Sequence, residues 1–181
     1  GQLFQRKLAE EKERKSAERI RALHEIEIAI TSTLDLRAIL VLLLEKMDLI
    51  LPYAAGGVRL LDPITGTLGY RALRNIDEKG LAKALEQSRS GLSELVLERK
   101  GLVTIHDIRI ETRSAVSKFL ASRGFVSYLG LPLVAKGETV GVLSVLTKEE
   151  HTFSEEEIEF LKALAGLAAM AQQANINYDD L

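Results

Sequence analysis

The chain has 181 residues, of which 46% are hydrophobic and 28% are charged, and its net charge is −2. These values are ordinary for a globular protein and suit one domain with a substantial core, whereas the near-neutral charge gives no basis for binding nucleic acid. The absence of cysteine excludes disulfides, thiolate nucleophiles, cysteine-ligated metals and thioether-linked chromophores.

Neither a membrane span nor a secretion signal is predicted. The densest uncharged apolar runs, residues 38–44 and 163–171, are far shorter than the roughly 20 residues that a membrane helix needs. The first 25 residues alternate in charge and lack the apolar core of a signal peptide. We therefore expect a cytoplasmic module with no direct membrane insertion, either free or as the cytoplasmic part of a membrane-anchored sensor.

Residues 3–33 have the composition of one long helix with two parts. Residues 5–21 are mostly charged, with acid-before-base pairs such as Glu10 and Arg14 one turn apart. Farther along, apolar residues recur at helical spacing at Leu23, Ile26 and Ile30. A charged helix with so narrow a stripe is unstable alone, so we expect a short coiled coil with a second copy. The alternative is a solvated helix that docks at one end on its own domain.

The middle of the chain predicts a mixture of helices and strands. Asp35 is positioned to cap a helix over residues 36–51, which Pro52 ends. Next come strands at 56–61 and 68–73 joined by a turn at 62–66, helices at 76–87 and 92–100, a strand at 102–105, a polar loop at 106–112 and a helix at 113–122. Ser90 and Gly101 are expected to begin and end the helix at 92–100.

The last third of the chain predicts a hairpin. Residues 126–135 and 140–147 are rich in β-branched and large apolar side chains, and residues 136–138 supply the turn. Alternation along the second strand points one set of side chains to each face of the sheet. These sets are Val140, Val142 and Leu146 on one face, and Leu143 and Val145 on the other. Because both faces are apolar, helices must cover both.

A capping-box pattern, Ser154 with Glu157 three residues later, predicts the start of the last helix in an acidic first turn. Helices therefore precede, separate and follow apolar strands. This arrangement predicts an α/β domain of the α+β type, built as a three-layer α/β/α sandwich.

The elements in this order, with several short motifs, resemble a GAF domain over residues 22–176. The motifs lie at residues 29–36, 90–92 with 101–105, 131–134 with 141–145, and 153–156. The resemblance implies a five- or six-stranded antiparallel sheet. The first, second and last helices would cover one face, and the middle helices would roof a small-molecule cavity on the other. Residues 1–21 would then be a helical linker or coiled-coil segment, and residues 177–181 a tail leading to a missing downstream region.

In this family the terminal helices often extend into parallel dimeric bundles that join sensory domains to output domains. We therefore expect a homodimer and an output domain in the same longer chain. Members that hold a bilin covalently, and those that reduce methionine sulfoxide, need cysteines that this chain lacks. Members that bind cyclic nucleotides carry a dispersed Asn-Lys-Phe-Asp-Glu motif, and Lys118-Phe119 lacks both the preceding Asn and the following Asp-Glu.

The segment 106–128 is expected to roof the cavity and to contact any ligand. The candidate contact residues are Tyr70, His106, Asp107, Arg109, Arg113, Lys118 and Tyr128. Their surplus of cations suits an anionic ligand such as a carboxylate or phosphate; the alternative is that these charges are solvated. No second histidine or carboxylate accompanies His106 at ligand spacing, so no metal site is expected, and the cofactor is unknown.

No Ser-His-Asp triad, catalytic glutamate pair or phosphate-binding loop can be assembled, so no enzyme is expected. We expect a sensory or signal-relay module that binds an unidentified small molecule, dimerises through its terminal helices, or does both, to control an output domain. A ligand would shift the packing of Ile158, Leu161, Ala165 and Ala168 against the sheet. Two alternatives stay open: a structural dimerisation spacer without a ligand, and the effector domain of a transcription regulator.

Overall fold

The computed structural model describes residues 1–33, 35–87, 91–110 and 114–179. Its helices are α1 (Gln2–Ser32), α2 (Leu36–Glu45), α3 (Glu78–Gln87), α4 (Leu92–Arg99), α5 (Ala115–Ser122) and α6 (Glu155–Asp179). Its strands are β1 (Ala55–Leu61), β2 (Leu68–Arg74), β3 (Val103–Ile105), β4 (Ser127–Ala135) and β5 (Glu138–Thr147). Short 3₁₀ turns occupy Lys46–Leu49 and Ile108–Ile110, the second of them inside the predicted polar loop.

The five strands form one antiparallel sheet in the order β2-β1-β5-β4-β3. Strand β5 lies at its centre between β1 and β4, so residues near position 58 pair with residues near position 143. The sequence prediction of five or six antiparallel strands is therefore confirmed, with five.

Helices cover both faces of this sheet, as the two apolar faces predict. We call the side packed by α1, α2 and α6 the apolar face; Val58, Leu60, Leu129, Leu143 and Val145 point to it. We call the side covered by α3, α4 and α5 the cavity face; Val142 and Leu146 point to it, as do the side chains described in the next section. The three-layer architecture is thus confirmed.

One side chain lies on the opposite face from its prediction. Val140 packs with the apolar face, whereas Val142 packs with the cavity face. The pairing of β4 and β5 shifts register between Leu133 and Val134, because β5 carries an extra residue there. An extra residue in one strand interrupts the two-residue alternation, which strict counting along the sequence cannot anticipate.

Two turns also differ from their predictions. The hairpin between β4 and β5 turns on Lys136 and Gly137 alone, with φ of 53° and 79°, rather than on three residues. Two successive positive φ angles match the twist of the flanking strands, so a two-residue turn is favoured. At the end of α4 the left-handed residue is Lys100 rather than Gly101, while the predicted cap at Ser90 lies outside the described residues.

The predicted helix caps at Asp35 and Ser154 are present. The Asp35 side chain accepts a hydrogen bond from the Ala38 amide at 3.1 Å. In the capping box, the Glu157 amide donates to Ser154 Oγ at 3.1 Å and the Ser154 amide donates to Glu157 Oε1 at 2.7 Å. These bonds satisfy amides that a helix start leaves free.

Among the described residues, helix α1 packs on the domain through its C-terminal half. Ala22 and Ile26 are buried in the core of the apolar face, with Leu23 and Ile30 partly buried beside them. Arg19 forms an ion pair with Glu156 at the start of α6, at 3.5 Å. Residues 2–17 are exposed, although they include the apolar side chains of Leu3, Phe4 and Leu8.

Candidate functional site

A small cavity lies between the cavity face and helices α3–α5. Its floor includes Gly57 of β1, which has no side chain and lets Tyr70 pack closely, and Ser144 of β5, whose side chain is small. The space open to the centre of a water molecule is about 20 Å³, which is room for about one water. The polar residues that line it are Arg59, Tyr70, Ser93, Glu94, Tyr128 and Ser144.

Arg59 is the buried charge of this site, with 6% of its surface exposed. The register of β1 and β2 shifts between Val58 and Arg59, which sets Tyr70 rather than Arg71 opposite Arg59. The guanidinium consequently lies over the Tyr70 ring, 4.9 Å from its centre, a cation–π arrangement. Its Nη2 also donates to the Leu68 carbonyl at 3.0 Å.

The counterion of Arg59 comes from the opposite wall of the cavity. Glu94, in the first turn of α4, accepts a hydrogen bond from Arg59 Nη1 on Oε1 at 2.9 Å. Within the described residues, neither Arg59 Nε nor Glu94 Oε2 has a hydrogen-bond partner. Buried polar atoms without partners are costly and uncommon, so the ion pair is incompletely satisfied.

Three hydroxyl groups form a second polar cluster beside this pair. Tyr128 Oη and Ser144 Oγ are 2.9 Å apart, and Ser144 Oγ lies 3.5 Å from Ser93 Oγ. All three residues are buried. Burial raises the pKa of the Tyr128 hydroxyl far above its ordinary value, so this group is a neutral donor or acceptor at physiological pH. Burial likewise raises the pKa of Tyr70.

The structure brings two of the predicted contact residues, Tyr70 and Tyr128, to this cavity. Lys118 instead borders a separate shallow depression between α3 and α5, together with Lys83 and Arg123. Arg113 lies outside the described residues. Whether any of these residues contacts a ligand stays a prediction.

His106, Asp107 and Arg109 lie together after β3 and do not line the cavity. Arg109 Nε donates to Asp107 Oδ1 at 2.8 Å, and the Arg109 side chain and backbone bonds lower the pKa of Asp107 to about 2. Glu150 lies 3.4 Å from His106 and 3.6 Å from Arg109. Arg109 is therefore paired with carboxylates at the surface and not directed into the cavity.

Sequence reasoning missed four of the polar cavity residues: Arg59, Ser93, Glu94 and Ser144. A signal was present for two of them. Arg59 is a single cation in the otherwise apolar strand β1, and Ser144 is the single hydroxyl in the apolar run 140–146 of strand β5. A polar residue at the centre of a buried strand is unfavourable unless it has partners, and its presence can mark a site.

The described residues hold no group of three or more histidine, aspartate or glutamate side chains placed to bind a metal ion. In the same residues, no helix combines the length and the apolar character that crossing a membrane requires.

Comparison with known proteins agrees with the architecture. The family model described as GAF domain matches residues 33–173. The GAF domain of a phosphoenolpyruvate-protein phosphotransferase from Coxiella burnetii superposes with a TM-score of 0.73 at 23% identity, covering 91% of this chain and 98% of that one. No curated protein sequence matches the chain significantly.

Two further solved structures were determined with small molecules bound. Free methionine-R-sulfoxide reductase from Neisseria meningitidis, in complex with its substrate, has a TM-score of 0.69 at 17% identity and covers 88% of this chain and 91% of that one. The phycoerythrobilin-bound GAF domain of a cyanobacterial phytochrome has a TM-score of 0.63 at 19% identity, with coverages of 87% and 95%. At these identities the similarity shows the fold alone.

Proposed function

The chain belongs to the GAF domain family of sensory and signalling modules, and we propose from this premise that it binds a small organic molecule in the cavity lined by Arg59, Glu94 and Ser144. Binding would be relayed through the sheet to the terminal helices, which would control an output domain in the same longer protein. We propose a non-catalytic role in the reducing cytoplasm, either in a free protein or in the cytoplasmic part of a membrane-anchored one. The absence of cysteine supports the reducing compartment and the lack of cysteine-based catalysis.

The observation that carries this proposal is the polarity of the cavity. Arg59 is buried with a partly buried carboxylate partner where apolar side chains of similar size often stabilise a fold as well or better, and three buried hydroxyls lie beside this pair. Six apolar side chains complete the wall: Ile76, Leu81, Leu92, Val116, Leu120 and Leu146. A mainly apolar pocket with a few convergent polar groups is the usual form of a small-molecule site.

The proposed relay uses strands that are shared by the two faces. Strand β5 presents Ser144 to the cavity and Leu143 and Val145 to the core beneath α6. Leu161, Leu164 and Ala168 of α6 are buried in that core. A shift of β5 on ligand binding would therefore change the packing of α6, and coupling of roughly 1–3 kcal/mol is enough to bias an output.

We further propose that the output depends on a homodimer formed through α1 and α6. Exposed apolar side chains on these helices support a partner helix; they are Leu3, Phe4, Leu8, Ile20, Ile28 and Met170. Sedimentation of the protein with and without residues 1–20 tests this. A dimer that becomes a monomer after the deletion supports the proposal, and a monomer at tens of micromolar in the complete chain contradicts it.

The small volume of the cavity favours a second candidate, a structural dimerisation spacer. A space for about one water holds no organic ligand unless side chains or α4 move. The spacer predicts that no small molecule is retained and that none raises the melting temperature. A ligand at 100 times its dissociation constant would instead stabilise the fold by about 2.7 kcal/mol.

Native against denaturing mass spectrometry of gently purified protein separates the two candidates. We expect excess native mass in the wild-type protein and its loss in Ser144→Leu, which fills the cavity. Ser122→Leu, at an exposed position on α5, is the matched control and should retain the excess mass. A clean protein mass in the wild type, with no melting shift across a metabolite library, would favour the spacer.

A further inference from the structure

The counterion of Arg59, Glu94, lines the cavity of the proposed function. We propose that Glu94 is an internal competitor for the ligand, and that the ligand is a small organic carboxylate with an apolar body. In the structure, the Glu94 carboxylate occupies the place on Arg59 that the ligand carboxylate takes when it binds. This inference rests on the cavity being a ligand site.

Arg59 has the properties of a preorganised carboxylate receptor. It projects from a central strand and is held by the Leu68 carbonyl at 3.0 Å and by the Tyr70 ring. A guanidinium held in one orientation binds a carboxylate through two parallel hydrogen bonds when geometry allows. Glu94, tethered to α4, makes only one at 2.9 Å, and Arg59 Nε is left without a partner among the described residues.

Glu94 is the partner that can leave. Its side chain is 29% exposed, against 8% for that of Arg59, so it reaches water by rotating outward while Arg59 stays buried. Gly91 lies beside its free Oε2 atom, and a Cβ at that position would be 3.2 Å away. The glycine therefore leaves room for the carboxylate in its paired position, and outward rotation of Glu94 vacates part of the space that a ligand needs.

The charge balance of the site selects an anion. A cationic ligand would take Glu94 from Arg59 and leave a buried guanidinium without a counterion, which is strongly unfavourable. A neutral ligand would leave the ion pair in place, and the remaining 20 Å³ admits only water. A carboxylate replaces the counterion of Arg59 and returns Glu94 to solvent, while Leu92, Leu120 and Leu146 pack around its apolar body.

The test compares butyrate binding to the wild type and to Glu94→Gln by titration calorimetry. The glutamine keeps the size of the side chain and removes its charge. We expect butyrate to bind Glu94→Gln about tenfold or more tightly than the wild type, with no such gain for butylammonium or butyramide. Glu98→Gln, at an exposed position one turn farther along α4, is the matched control and should behave as the wild type.

A second variant assigns the binding to Arg59. Adding Arg59→Gln to Glu94→Gln removes both charges together, so the fold keeps no unpaired buried ion, and we expect the gain in butyrate affinity to be lost. Circular dichroism melting verifies that both variants fold. The inference is overturned if Glu94→Gln binds butyrate no more tightly than the wild type, or if the double variant retains the gain. In that case, co-purified mass that the wild type holds and Ser144→Leu loses would still support the cavity as a ligand site.

Discussion

The two faces of the sheet bury similar strands in different ways. On the apolar face, aliphatic side chains from β1, β4 and β5 interlock with α1, α2 and α6. On the cavity face, the same strands contribute Arg59, Tyr128 and Ser144, and three short helices cover them. The difference indicates that the apolar face supplies most of the stability. The cavity face contributes less, because it buries polar groups in place of aliphatic side chains.

The largest effect is expected on the apolar face. Leu143→Ala removes a fully buried side chain from the central strand β5 and should lower the free energy of unfolding by about 2–5 kcal/mol. Val134→Ala, at a position that is 51% exposed, should change it by less than about 0.5 kcal/mol. Urea denaturation measures both. A loss below about 1 kcal/mol for Leu143→Ala would contradict the role of this face as the main source of stability.

The ion pair of the cavity face should contribute less to the free energy of unfolding than the burial of Arg59 suggests. Arg59→Met leaves Glu94 without its partner, but Glu94 is partly exposed and can turn to water, so we expect a loss of about 1–3 kcal/mol. Arg59→Met with Glu94→Gln should recover most of that loss. Thermal and urea unfolding of the two single variants and the double variant give the coupling energy. A double variant as unstable as Arg59→Met would show that packing, not charge, carries the effect.

The three hydroxyls of the cavity face should contribute less to the free energy of unfolding than the ion pair does. Tyr128→Phe keeps the ring and removes the hydroxyl that lies 2.9 Å from Ser144, so we expect a loss of about 1 kcal/mol in urea unfolding. Tyr53→Phe, the same change at an exposed tyrosine, is the control and should be neutral. A gain in stability for Tyr128→Phe would instead indicate that the buried hydroxyls are retained for binding at a cost to the fold.

The smallest effect is expected outside both faces, at Asp107. Arg109 lowers the pKa of Asp107 to about 2, from an ordinary value of 3.8. Because the folded pKa lies below the unfolded one, the pair stabilises the fold above about pH 4 and this contribution is lost as the pH falls towards 2. Carboxyl NMR titration should find a midpoint near 2 that rises towards 3.8 in Arg109→Gln. An unchanged midpoint would show that Arg109 is not its cause.

Local pattern was sufficient to predict most of the fold. Alternation in residues 126–147, the cap at Asp35 and the capping box at Ser154 are each set by residues within a few positions of one another. Periodicity and capping chemistry therefore predict them. The prediction for Val140 is wrong because the bulge depends on how β4 and β5 pair. The sequence of one strand alone does not determine that pairing.

The candidate site was harder to predict because it is assembled from distant parts of the chain. Arg59 meets Glu94 only when β1 and α4 are brought together, and Ser144 reaches them from β5. The sequence prediction instead rests on the local surplus of cationic side chains in residues 106–128. Two of these residues, His106 and Arg109, lie at the surface beside Glu150. A cluster of charged residues in the sequence more often marks an exposed segment than a functional site. A single charged residue in an apolar strand is rarer and is better evidence of a functional site.

The order of the strands also governs when the domain can form. Strand β2 is available to β1 as soon as the first hairpin is synthesised, but the other edge of β1 pairs with residues 141–146, about 80–90 positions later. Contacts so distant in the sequence slow folding, because the long loop between them must close before they can form. During synthesis, the middle of the sheet therefore stays open until β5 has left the ribosome. In that interval the edge of β1 that later pairs with β5 is unpaired and open to wrong pairing.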